Sequence, residues 1–346
     1  MKGSLLSYVA AICVYTSSTL ALPTVKHDHQ NVHGHSTSLF PLHSFPLQWS
    51  KYAGNPIISP DPSHSWEEAY TYNPAAWVQD DKVYMIYRAQ NKAKISAFGL
   101  ATSDDGYQFT RLPNPIFTPS GDLESHGVED PRVVRVNETY YMTYTAYDGT
   151  SARLCLATST NLTDWTRYGA MFPNFNVLSY DGKGSVWSKS GAILPWKQPN
   201  GKYMMYFGEG SIWSSYSEDL LHWDQNPTRL FSHTNVTGQF DADLVETGPP
   251  PIQTTEGTLF LYNGAQLGTN YKNYSVGEVL LDSRTSTKIL QRTTRAVIIP
   301  TTPQEASPNV QTPNVTFAEG LVYFKNKALL YYGQGDQFIG VATGQK

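Results

Sequence analysis

Two carboxylates, a proline and an arginine stand together in "GVEDPR", residues 127–132. Successive side chains of a strand point to opposite faces. A strand here would aim Asp130 into a site and Glu129 the other way. Arg132 would share the face of Asp130, where it can hold that carboxylate or a substrate hydroxyl. A buried Asp130–Arg132 ion pair without chemistry is the alternative. Pro131 removes a ladder donor, so the strand starts or bulges at this point. Further charged groups stand in short motifs along the chain: Arg88 in "IYRA", Lys189 in "KSGAI", Glu209 in "YFGEG", Glu246 in "VETGPPPI", Glu319 in "FAEG" and Asp336 in "YYGQGD". Several carboxylates around one place suit glycoside cleavage. That reaction needs a protonated acid at the leaving oxygen and a carboxylate that activates water or attacks the sugar. Crowded carboxylates raise one another's pKa, which keeps one protonated. An acidic ring could instead bind calcium, but these residues lack the spacing of a calcium loop.

The elements that must bring these residues together recur five times. A tyrosine strand repeats as "VYMIYRA", "YYMTYTA", "KYMMYFGE", "TLFLYNG" and "ALLYYGQ", aligning Tyr87, Tyr144, Tyr206, Tyr262 and Tyr331 at spacings of 57, 62, 56 and 69 residues. Each copy alternates with period two, as strands do. A shorter motif precedes each tyrosine strand, and a third strand pattern follows it, as in "FGLATS" and "LCLATS". Segments such as "NPIFTP" and "AVIIP" close the repeats. Five four-stranded repeats predict an all-β, five-bladed β-propeller. The last repeat lacks an outer strand, and "LQWSKYAGNPIISP" near the N-terminus matches the missing piece, so the N-terminal strand is expected to close the last blade. A two-sheet sandwich is the coarser alternative. The inner strands would then present Asn73, Asp130, Lys189, Glu246 and Glu319 to a central channel. The bland reading makes them solvated rim residues.

A formal net charge of −4 and a pI near 6.1 leave no basic footprint for nucleic acid. Residues 1–21 read as a secretory signal, with an apolar run too short to span a membrane. Five glycosylation sequons follow, at Asn137, Asn161, Asn235, Asn273 and Asn314, which predicts a secreted, extracellular glycoprotein. They are expected at turns and strand ends, Asn137 and Asn161 being the most accessible. Residues 22–44 are expected to form a disordered, His-rich leader, its histidines offering a minor metal-binding alternative. Residues 45–346 form the single propeller domain, without a cofactor or metal. Of two cysteines, Cys13 leaves with the signal, and Cys155 remains as a small buried hydrophobe.

Together "YNPAA", "IYRA", "GVEDPR", "ARLCLATS", "KSGAI", "ETGPPPI" and "YYGQGD" resemble glycoside hydrolase family 130 over residues 45 to 343. The resemblance implies a five-bladed propeller acting on β-mannosides, either by inverting phosphorolysis or by hydrolysis of β-1,2-linked mannose. It implies Asp130 as the general acid, working in the phosphorylases through a sugar hydroxyl. It implies Asn73, Arg88 and Asp336 as sugar contacts. Arg88, Arg153 and Lys189 would be what remains of a phosphate cluster, and Glu209 and Glu246 match the two glutamates of the mannosidases. The chain reads "YNG" at Tyr262 where phosphorylases tend to have "YHG", which speaks against phosphate. The expectation is an inverting β-mannosidase with an oligosaccharide substrate, with phosphorolysis and a non-catalytic carbohydrate-binding propeller as alternatives.

Overall fold

A computed structural model describes residues 39–175, 187–268 and 271–345. The expected signal and most of the His-rich leader lie outside these residues. Among these residues the fold is all-β, with one single-turn α-helix at Pro303–Ala306 and one 3₁₀ turn at Asp122–Glu124. No helix among the described residues is long and apolar enough to cross a membrane.

Each sequence repeat folds as an antiparallel sheet in the expected strand order. In the first, Tyr70–Gln79 pairs with Lys82–Gln90, which pairs with Ser96–Ser103 and then Thr110–Arg111. The second runs Gly127–Val136, Thr139–Tyr147, Ala152–Ser159 and Thr166–Ala170. It joins the first sheet through a single parallel pair, Ser96 with Gly127. The third begins with Gly191–Leu194 and the fourth with Leu244–Thr247. The fifth contains Thr316–Phe324, Lys327–Gln334 and Phe338–Gln345. Its outer strand is Gln48–Lys51, which pairs antiparallel with Phe338–Gln345 from Gln48–Gln345 to Lys51–Ala342. The first and last described strands therefore share one sheet. In two repeats the outer strand lies just before the expected closing segment: "NPIFTP" and "AVIIP" contribute only the bridges Phe98–Phe117 and Val276–Ile298. Packing also begins earlier than expected. Phe40 and Leu42, inside the expected leader, are buried, and Phe40 bridges Thr254.

The aligned tyrosines are buried because each hydroxyl has a partner, as a buried phenol requires. In three repeats that partner is an acid twenty or twenty-one residues upstream. Tyr87 donates to Glu67 at 2.8 Å, Tyr144 to Glu124 at 2.6 Å and Tyr262 to Asp241 at 2.8 Å. An arginine of the outer strand meets each acid: Arg111 at 2.9 Å, Arg167 at 3.2 Å and Arg292 at 2.5 Å. The fifth repeat builds the clamp from Tyr332, Glu305 and Lys51. Each clamp ties the second strand, the outer strand and the incoming segment of one repeat. Cys155 is buried and unpaired, and burial pushes its thiol up to about 12.

Candidate active site

The inner strands meet around Asp130, and a bulge decides how. Asp130 has a left-handed φ of 54°, and pairing with Thr139–Tyr147 slips between Glu129 and Arg132. Asn73 and Glu319 occupy the same kind of slip in the first and fifth repeats. In the third repeat the left-handed residue is Ser190, at 58°, so the expected counterpart Lys189 stands one position earlier.

The bulge overturns the alternation expected for "EDPR". Glu129 does not face away from Asp130: both carboxylates meet one guanidinium. Arg88 donates from Nη1 to Asp130 at 3.0 Å and from Nη2 to Glu129 at 2.5 Å. Its Nε donates to Ser96, and its guanidinium lies 4.7 Å from the centre of the Tyr72 ring. Asn73 donates to the same Asp130 oxygen at 2.7 Å. The close approach of Asn73 explains the glycine of "YYGQGD": a Cβ on Gly333 would stand 2.7 Å from Asn73 Oδ1.

Arg132 does not share a substrate face with Asp130 either. It is 1% exposed, and its three nitrogens donate to the carbonyls of Asp130, Thr247 and Gly248. Glu319, fully buried, lies 3.1 Å from its Nη2. These bonds join the inner strands of repeats two, four and five, so Arg132 supports the site from behind. Asn263 of "YNG" has a similar task. It exchanges two hydrogen bonds with the backbone of Ala318.

Glu209 and Glu246 come together through a backbone bridge between the third and fourth repeats. Trp187 donates its indole N–H to Glu209, and Ser190 donates to Glu246 Oε1 at 2.5 Å. Lys189 links this pair to the other carboxylates, with Nζ 3.3 Å from Glu246 and 3.5 Å from Asp130. Sequence reasoning missed Trp187, Ser190 and the pairing of Glu129 with Arg88. Trp187 and Ser190 flank a singled-out lysine but carry no charge. Asp336 lies near enough to act electrostatically on Arg88 and Tyr72. Arg153 stands opposite Ala146, with Nη1 buried and without a hydrogen-bond partner among the described residues.

Burial opposes every charge here, and neighbours decide the outcome. Asp130 is held well below the usual carboxylate range because Lys189, Arg88 and Arg132 outweigh its burial. Glu129 is raised, chiefly by burial, against the pull of Arg88. Glu319 is raised well above its ordinary value by burial despite Arg132. Lys189 is held firmly protonated, since Glu246, Glu209, Asp130 and Glu129 overcome its burial. Of the two neighbours in "EDPR", Asp130 is the one the site holds as a charge. A general-acid role for Asp130 therefore requires bound sugar to change this balance.

Cations already lie among the carboxylates, which argues against calcium between them. Elsewhere, Asp61, His64 and Glu67 bring three potential ligand atoms within 4.8 Å of one another. There too an arginine intervenes: Arg111 pairs with Asp61 at 3.5 Å and Glu67 at 2.9 Å.

The profile of the family described as β-1,4-mannooligosaccharide phosphorylase matches residues 53–346. The chain belongs to glycoside hydrolase family 130. It is 32% identical over 307 residues to a 1,2-β-oligomannan phosphorylase of Thermoanaerobacter, covering 86% of this chain and 97% of that protein. A β-1,2-mannobiose phosphorylase of the same organism is 30% identical over 313 residues, with the same coverage. A solved glycosyl hydrolase from Bacteroides ovatus is 34% identical with a TM-score of 0.77, covering 88% of this chain and 96% of its own. Another, with the same identity and coverage and a TM-score of 0.78, comes from work describing family 130 hydrolases that target β-1,2 mannosidic linkages in Candida mannan. Family membership, read from seven short motifs, is thereby established.

Proposed function

We propose that the protein is a secreted glycosidase that cleaves terminal β-1,2-mannosidic bonds by hydrolysis with inversion. Its five repeats would stand as the blades of a propeller around the carboxylate cluster. The observation that carries hydrolysis is the pairing of Glu209 and Glu246 across a backbone bridge, with Lys189 against Glu246. A phosphate dianion needs uncompensated cations. Lys189 is in contact with Glu246 and Asp130, Arg88 with Glu129 and Asp130, and Arg132 with Glu319. A neutral water meets no such demand and gains from a carboxylate that can take its proton. A carbohydrate-binding surface without turnover would have no use for such a cluster. The related structure described with hydrolases of β-1,2 linkages supports the same reading.

Phosphorolysis is the second reading, and the curated relatives favour it: both Thermoanaerobacter proteins are phosphorylases. The buried, unpartnered Nη1 of Arg153 is a group that an anion could satisfy. Incubation with β-1,2-mannobiose, with and without phosphate, separates the two. Hydrolysis gives free mannose at equal rates in both, first as the α-anomer by NMR. A strict need for phosphate, with mannose 1-phosphate as product, establishes phosphorolysis instead.

Secretion rests on the N-terminal signal pattern and the sequons. Asn137, Asn161 and Asn235 are exposed, as a glycan requires, whereas Asn273 lies half-buried inside Tyr271–Leu281 rather than at a turn. Unchanged gel mobility after endoglycosidase treatment of protein from a eukaryotic host would remove the support from glycosylation.

A further inference from the structure

The hydroxyl of Ser190 touches Glu246 from a position that belongs, by repeat, to Asn73 and Asp130. Ser190 is fully buried and holds the left-handed φ of 58° that marks the inner-strand bulge. That conformation disfavours an ordinary side chain and is retained where the surroundings demand it. Its consequence is specific: Oγ donates to Glu246 Oε1 at 2.5 Å. Lys189 Nζ approaches the same oxygen, at 3.3 Å. Among the described residues no hydrogen bond or ion pair is recorded at Oε2. Both fixed partners therefore act on one oxygen.

We infer that Ser190 is a positioning residue: together with Lys189 it pins Oε1 of Glu246 and reserves Oε2 for the molecule that attacks the sugar. This rests on the reading of Glu246 as part of the cleaving machinery. A carboxylate acting as base must present one lone pair to the attacking oxygen and remain ionised until the proton moves. A hydroxyl donating to the other oxygen fixes the rotation of the group. Glu209 receives corresponding support from the indole of Trp187, so each member of the pair has a neutral donor of its own.

The test uses the full chain and β-1,2-mannobiose, with phosphate present so that either acceptor is available. Ser190→Gly removes the hydroxyl and suits the left-handed backbone. Ser190→Ala provides a second removal. Loss of a hydrogen bond to a charged group should lower kcat about tenfold, with KM changed less than about twofold. Ser190→Cys, which retains a weaker donor, should recover part of the lost kcat. A packing defect would lower the folded fraction without lowering kcat per folded molecule. Folded Ser190→Gly with wild-type kcat overturns the inference. Glu246→Gln separates the two levels. If it is crippled while Ser190→Gly keeps the wild-type kcat, Ser190 alone is misassigned. If it keeps wild-type kcat, the reading of Glu246 fails and the role of Ser190 fails with it.

Discussion

Glu278 gives the sharpest prediction about how the N-terminal segment is held. It lies in Tyr271–Leu281 of the fourth repeat and is fully buried. It accepts hydrogen bonds from the backbone N–H of Leu47 at 3.0 Å and from the indole of Trp49 at 2.6 Å. Both donors belong to the N-terminal segment that completes the last sheet. Among the described residues no ion pair offsets its charge. Burial therefore raises its carboxyl from 4.5 to about 7, against the pull of those two donors. The folded state holds this proton more tightly than the unfolded chain does. The contribution of Glu278 to stability is thus fully present below pH 4.5 and is lost as pH rises through about 7. At about 1.36 kcal/mol per pH unit the whole loss is about 3 kcal/mol. Glu278→Gln removes the titration and weakens one of the two hydrogen bonds, at about 1 kcal/mol. The variant should be about 1 kcal/mol less stable than the wild type at pH 4 and about 2 kcal/mol more stable at pH 8. Urea unfolding of both proteins between those pH values measures the difference, in which titrations common to both cancel. A difference that stays constant from pH 4 to 8 would refute the reasoning.

Asp130→Asn should lower turnover by about 10²–10⁴-fold with the fold intact, and Glu129→Gln should cost far less, measured as kcat on β-1,2-mannobiose. The reverse order would make Glu129, the carboxyl that burial raises, the proton donor. Arg132→Met should destabilise the fold by about 3–5 kcal/mol in urea unfolding, because it strips donors from three buried carbonyls at about 1–3 kcal/mol each. A variant as stable as the wild type that had only lost substrate affinity would restore Arg132 to the sugar-binding set.

The repeats were legible in the chain because strand alternation and tyrosine spacing are local properties. The shared sheet of first and last strands could also be read, since the missing strand of the fifth repeat had a matching sequence elsewhere. Family membership could be read from short motifs, and relatives about a third identical to the chain bear it out. The clamps left a faint signal, an acid twenty or so residues before three tyrosines, visible only once the fold supplies a reason to look for it. What each charged residue does was settled by tertiary structure. Period-two reasoning assigned Glu129 and Asp130 to opposite faces, but the bulge at Asp130 turned both to Arg88. The same bulge sent Arg132 behind the site. No sequence spacing reports that Lys189 bridges Asp130 and Glu246, or that Ser190 grips the same glutamate, because these contacts join separate repeats. Side-chain types are written in the sequence, whereas facing direction, burial and the charges of neighbours exist only once the five inner strands have met.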